Sequence, residues 1–372
     1  MQKNRSQVFN GIKQKNNTKT AVLVLVGFLA LALSLFYYLG INTAEDREEK
    51  AGILEEEVTA AEQKVSVESY AISSGEFFPG DEINSGLTIM NTSGKEDNFW
   101  IGCSIQDPLG NWHDLPAQET HLKDKEKTAV DFFWPVPGGE SQLVSGPYLL
   151  TMAVWSEMPG EKNARRLATV QRKEAFHLLK YHEDFSSFNR DLWEKSEHPL
   201  GLGQLEADNV AIADDLLKIT MPADTLDGGQ LESKAYDHLY GSYRVNMKLP
   251  DAPSSITGFF LYRAPDYYHE VDIEIFNDTR GKVMFVTYAG GNVTNEYETY
   301  PGFDPTKDFY EYRFDFYPGK VSFYLEGVLL KTFKDGLTDK PMKLMINSWF
   351  PRWLDGIRPE HDAVTRIDWI KY

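Results

Sequence analysis

A single cysteine, Cys103, stands among the 372 residues, so no intrachain disulfide can form. A lone cysteine is usually a small buried apolar group, and no local motif marks this one as a nucleophile. The eight histidines include no H-E-x-x-H, there is no G-x-S-x-G, and no phosphate-cradling loop is present. These absences leave zinc-peptidase, nucleophile-elbow and nucleotide-phosphate chemistry without their machinery. Positive charge is also scarce: 38 Lys and Arg face 56 Asp and Glu, for a net charge of −18. Lys3, Arg5, Lys13, Lys15 and Lys19 all precede residue 40 and no acid does, so the body is more acidic still. Such a body lacks the basic face that a nucleic-acid partner requires.

Only one long apolar run exists, Ala21 to Gly40, twenty residues without a charge. That length spans a bilayer as a helix, and the preceding positive charges predict a cytoplasmic N-terminus. The expectation is a basic tail at 1–20, a transmembrane signal anchor at 21–40, a stalk at 41–64 and an extracellular body on the cell membrane. A cleaved signal peptide, giving a secreted protein, is the competing reading.

The remainder alternates apolar and polar residues between Pro, Gly and Asn turns, the pattern of short strands. Residues 65–178 carry about seven strands in about 110 residues, the size of an immunoglobulin-like sandwich. A spacer is the plainer role for it; Trp100, Trp112 and Trp155 are its candidate ligand contacts if exposed. Residues 181–372 are also β throughout, which fits an all-β, concanavalin-like jelly roll of two packed sheets. Aromatics make up 13% of the chain, which suits sugar-binding clefts and β-proteins alike.

The most informative stretch is Glu270-Val271-Asp272-Ile273-Glu274. On a strand its three acids share one face, and Val271, Ile273 and Ile275 share the other. Like charges side by side are destabilising, so this arrangement needs a reason. Acid/base work on a glycosidic bond supplies one; a solvated strand face or a calcium site are the alternatives.

Around this motif the chain resembles glycoside hydrolase family 16, most closely its bacterial lichenases (β-1,3-1,4-glucanases). The resemblance covers residues 181–372. It runs through His182-Glu183-Asp184-Phe185, Tyr240-Gly241-Ser242-Tyr243-Arg244-Val245-Asn246-Met247-Lys248 and Ser255 to Tyr262, then the acidic motif. Phe314 to Gly319, Tyr324 to Val328 and Asn347-Ser348-Trp349 follow in order. The resemblance implies a retaining endo-β-glucanase with Glu270 as nucleophile, Glu274 as acid/base and Asp272 between them. Retention wants carboxyl groups about 5 to 5.5 Å apart. Residues i and i+4 on a flat strand are about 13 Å apart at Cα, so the side chains must lean together on a curved sheet. The resemblance further implies that Phe260, Tyr262, Tyr268, Tyr288, Asn347, Trp349 and Trp353 contact the sugars. Phe259 competes with Phe260 for the cleft, since only one of two neighbours can face it.

One departure concerns the strand ahead of the Tyr240-Gly241 motif. Where lichenases carry a Glu and an Arg that bind the glucan, this chain has Gln230 and Glu232, so a cation has become an acid. Asp368 matches a residue that holds a structural calcium in the family, with carbonyls near Asp184 and Asp214; no cofactor is expected for catalysis. The substrate expected is a polysaccharide, a mixed-linkage β-glucan first. A β-1,3-glucan, a galactan or the cell's own exopolysaccharide remain open, as do a transglycosylase and a non-catalytic carbohydrate binder.

Overall fold

The structure is a computed structural model that describes residues 64–138 and 143–372. Every regular element is a strand, apart from one 3-10 turn at Ala207–Asn209 among the described residues.

The first module closes two sheets on one core. A three-stranded sheet joins Val65–Ile72, Glu82–Asn91 and Lys127–Pro135. Facing it, a six-stranded sheet runs Glu76–Phe77, Arg166–Leu178, Gly146–Trp155, Asp97–Gln106 and Trp112–Asp114, with Gln118–Leu122 also paired to Asp97–Gln106. Strict alternation in Asp97–Gln106 sends Phe99, Ile101, Cys103 and Ile105 inward, each at most 1% exposed. Cys103 is thus a core residue beside Ser85, and burial pushes its thiol pKa up to about 11, out of the reactive range.

The second module stacks two larger sheets. One has Val210–Ala213, Leu216–Met221, Ala363–Lys371, Gly241–Lys248, Tyr310–Tyr317, Lys320–Leu325 and Val328–Phe333 in spatial order, with His182–Glu183 on Ala363–Lys371. The other, the cleft sheet, runs Trp193–Lys195, Gly229–Ser233, Lys343–Trp349, Ile256–Arg263, His269–Phe276, Val283–Ala289 and Asn292–Thr299. Between them lies an apolar core in which Phe259, Val271, Ile273, Ile275, Phe285, Phe314 and Phe323 are fully buried. Phe285 and Phe323, from opposite sheets, stack at 4.5 Å.

The sequence-based expectation of a membrane anchor is corrected here. Among the described residues no helix is long and apolar enough to cross a membrane. The tail at 1–20, the signal anchor at 21–40 and nearly all of the stalk at 41–64 lie outside the described residues. Among the described residues the physical reason is the strand pattern: alternation interrupts each apolar run before it reaches helical bilayer length. The described structure therefore adds no transmembrane element to the fold class and gives no support to a membrane in the function, the partners or the localisation.

The modules meet through polar groups rather than a shared apolar core. Arg244 donates to Glu76 Oε1 at 2.8 Å and to His177 Nδ1 at 2.7 Å. Lys371 reaches the other Glu76 oxygen at 2.6 Å. Ser145 Oγ accepts the Ser242 N–H at 2.9 Å, and the Tyr317 hydroxyl donates to the Ser145 carbonyl at 3.0 Å. A guanidinium only donates, so His177 Nδ1 must be the unprotonated acceptor. Burial, with Arg244 and Arg313 adding to it, lowers the His177 pKa to about 4, and burial lowers that of His238 equally.

Both histidines have folded-state pKa values below the unfolded value, so the unfolded chain binds more protons between them. The stability they contribute is complete above about pH 6.5 and is lost as pH falls toward 4. Chemical denaturation of His177→Gln, which keeps an acceptor for Arg244, should show that loss reduced by on the order of 2 kcal/mol relative to the parent. An unchanged pH profile would contradict this account of the interface.

Candidate active site

The three acids stand where alternation sends them. Val271, Ile273 and Ile275 are fully buried in the core, and Glu270, Asp272 and Glu274 point from the same strand, His269–Phe276, onto the cleft face. Asp272 and Glu274 are only 2% and 7% exposed, so two carboxylates have been drawn out of bulk water. Burying like charges together is costly, and such cost is tolerated where chemistry uses it.

Strand register organises the floor into rows. Glu270 lies opposite Tyr262, which lies opposite Lys343. Asp272 lies opposite Phe260, then Met345, then Glu232. Glu274 lies opposite Gly258, then Asn347, then Gln230. All three acids line a single cavity of about 190 Å³ together with Phe260, Tyr262, Trp349, Asn347, Gln230 and Glu232. Phe259 is fully buried while Phe260 is partly exposed in the cleft, which decides between the two neighbours.

Gly258 keeps the row above Glu274 open. A Cβ there would meet Asn347 Oδ1 at 2.9 Å and the Phe260 ring at 3.3 Å. Asn347 is held by donating to Gln230 Oε1 at 3.1 Å, and Gln230 in turn donates to Ser196 and Glu232 at 2.8 and 3.0 Å. Tyr262 donates its hydroxyl to Asp266 at 2.6 Å. Burial, then Asp266 and Glu270, hold that phenol well above its ordinary pKa, so it stays a protonated donor.

Other sequence expectations are relocated. Tyr268 is 44% exposed, stands against Gly291 and does not line the cavity; Tyr267 does, close to Tyr288 at 5.5 Å. The resemblance pointed to Tyr268, but the strand starts at His269 and Tyr267 has φ of 70°, so strand alternation does not extend to Tyr268. Tyr288 lies opposite Glu270 on the same face of the sheet, buried beside Tyr267, and Trp353 packs on Phe276 at 5.6 Å; neither is in the lining of the cavity itself.

Sequence reading missed Asp266, Tyr267, His198, Leu200 and Met345, which all line the cavity. It also missed Glu296, opposite Val286 on the next hairpin. Burial, then Glu298 and Glu274, raise its carboxyl pKa.

The acid at Glu232 does not leave the cleft without a cation. Lys343, 8% exposed, donates to Glu232 at 2.7 Å and to Glu194 at 2.6 Å. Burial opposes the Lys343 charge, but the two carboxylates outweigh it and raise its pKa. A positive group thus returns to this part of the floor from a strand 111 residues away.

The calcium expectation at Asp368 meets a sparse donor set. Asp368 accepts from Asn246 at 3.2 Å, Asp214 pairs with Lys218 at 2.5 Å, and Asp184 accepts the Ser186 N–H at 3.0 Å. Among the described residues no group of three or more His, Cys, Asp or Glu is gathered for a metal. These side chains do not form a carboxylate cage; Asp368 would be the one carboxylate, with carbonyls and water completing the shell.

Lys343→Met should leave Glu232 and Glu194 uncompensated and cost about 3 kcal/mol in chemical denaturation. Adding Glu232→Gln should recover part of that loss. No recovery in the double variant would mean that Lys343 acts by packing rather than by charge.

The chain is similar to known proteins. The family model described as "Glycosyl hydrolases family 16" matches residues 203–371. A β-glucanase of Paenibacillus polymyxa is 31% identical over 206 residues, 51% of this chain and 86% of that protein. One from Paenibacillus macerans is 30% identical, with the same shares. The solved structure of a Bacillus licheniformis β-glucanase is 26% identical, with a TM-score of 0.48 covering 52% of this chain and 96% of that one. At the level of identity and coverage of the two Paenibacillus enzymes, together with the family match across the cleft strands, the chain belongs to glycosyl hydrolases family 16.

Proposed function

We propose that this glycoside hydrolase cleaves internal bonds of a β-glucan-like polymer with retention of configuration. The observation that carries the reading is the column Glu270, Asp272, Glu274 on the floor of an aromatic cleft. The β-glucanase names of its relatives support the substrate class.

The roles follow from position and from general glycosidase chemistry. Glu270, the more exposed of the two glutamates, attacks the anomeric carbon, and the bond to the leaving oxygen breaks as Glu274 gives that oxygen its proton. A water then attacks the same carbon, Glu274 takes the water's proton, and the ester to Glu270 breaks. Two inversions restore the starting configuration. Asp272, between them and nearly buried, orders the charge of both neighbours. Phe260 and Trp349 offer apolar faces to sugar rings, and Tyr262, Asn347 and Gln230 offer polar groups to hydroxyls. Lys343 neutralises Glu232, so this end of the cleft suits an uncharged glycan.

Lichenan, laminarin and agarose should be incubated with the chain and new reducing ends counted. One of the glucans should be cut, and Glu270→Gln and Glu274→Gln should each lose at least about a thousandfold in kcat. Proton NMR of the first product should show the β-anomer. Binding without cleavage by the parent would favour a non-catalytic glycan binder, and an α-anomer would exclude double displacement.

A further inference from the structure

A second groove lies on the outer face of the six-stranded sheet in the first module. Alternation puts Gly102 and Ser104 of Asp97–Gln106 on that face, since Ile101, Cys103 and Ile105 are in the core. Register sets Gly102 opposite Ala153, and Ser104 opposite Asp114. The floor is therefore made of small residues, and Trp112 and Trp155 rise beside it around a cavity of about 450 Å³. Trp112 is 50% exposed.

Packing does not require this floor. A Cβ on Gly102 would lie 3.9 Å from Trp155 Nε1 and 4.0 Å from Pro159 Cγ, ordinary contact distances. Glycine inside a strand weakens it, and it marks places where something else approaches closely. The walls are braced: the Arg166 guanidinium lies 4.9 Å over the Trp155 ring, and the Ser104 hydroxyl donates to Asp114 at 2.6 Å.

We infer that this groove binds a chain of neutral β-linked sugars, as a site separate from the catalytic cleft. The occupant is elongated. Trp112 pairs with Gln106 and Trp155 with Trp100, six residues apart on one strand, or roughly 20 Å at Cα. Indole faces take the apolar faces of sugar rings, and Ser104 with Asp114 takes hydroxyls. An extended peptide would instead seek a sheet edge, where backbone groups are free to pair; a sheet face offers it none. The contacts of Arg244, Lys371 and Tyr317 join this module to the catalytic one, so a polymer held in the groove is tethered to the enzyme that carries the cleft. Only the choice of polymer rests on the cleft reading.

The test uses the full chain carrying Glu270→Gln, so that polymer is bound and not cut, in affinity electrophoresis through gels containing lichenan or laminarin. Trp112→Ala and Gly102→Leu should each weaken retardation at least about fivefold. In the active chain, the same substitutions should lower kcat/KM on polymer several-fold and leave it unchanged on a soluble tetrasaccharide. Trp112 is half-exposed, so its variant should fold, which circular dichroism checks; if Gly102→Leu does not, Trp112→Ala decides alone. Retardation unaffected by Trp112→Ala, or no retardation of the Glu270→Gln chain by either polymer, overturns the groove. If no glucan is cut and Trp112→Ala still abolishes retardation, the groove stands and the cleft reading fails.

Discussion

The two-residue repeat of one strand is the constraint on which the rest of the second module depends. Val271, Ile273 and Ile275 are fully buried, so their strand cannot rotate or slip by a residue without exposing all three. Their burial fixes where Glu270, Asp272 and Glu274 must stand. Carboxylates in a partly dry cleft repel one another, and a strand chosen for its acids alone would avoid that arrangement. Apolar burial on the opposite face supplies the offsetting free energy, together with aromatic packing across the core such as that of Phe285 on Phe323.

Once that strand is fixed, the neighbouring strands transmit its register across the sheet. Each acid acquires a row of facing residues, and each row has a distinct character. Beside Glu270 the row is a phenol and then a cation; beside Asp272 it is an aromatic face and a thioether; beside Glu274 it is an open glycine and two amides. The Asn347–Gln230–Glu232 chain of hydrogen bonds ends on Lys343, so the polar side of the cleft is a connected network rather than separate contacts. Networks of this kind, in a low-dielectric setting, hold donors in place before a substrate arrives.

What was legible in the sequence followed the reach of each signal. The acidic column is local and periodic, and residues 270 to 275 were enough to orient it. Phe259 and Phe260 have equal claims by composition, and only the fixed strand phase separates them: Phe260 pairs with Asp272, so it shares the cleft face. Tyr268 was chosen from the family resemblance, and Tyr267 was missed because a left-handed residue at the strand mouth turns the chain just where that match was made. Lys343 was missed for a different reason. Its partnership with Glu232 and Glu194 joins residues more than a hundred positions apart, and no periodicity encodes such a pair. The apparent exchange of a cation for an acid at Glu232 was a reading of one strand where three were needed. The apolar run at 21–40 gave a length argument that concerns residues outside the described structure, and among the described residues no helix is long and apolar enough to cross a membrane.

The same reasoning explains why the two modules couple without merging. An apolar interface would have extended the core, but the outer sheet of the second module faces its partner with Arg244, Ser242 and Tyr317, which are committed to directional bonds. Arg244 is 5% exposed and holds both a carboxylate and a neutral histidine, so separating the modules would strand a buried charge. Directional contacts fix orientation more tightly than apolar area does, because each tolerates little displacement before it is lost. A groove on the first module is then held in a set relation to the cleft on the second. For a polymer long enough to reach both, that relation determines which of its bonds come within reach of Glu270 and Glu274.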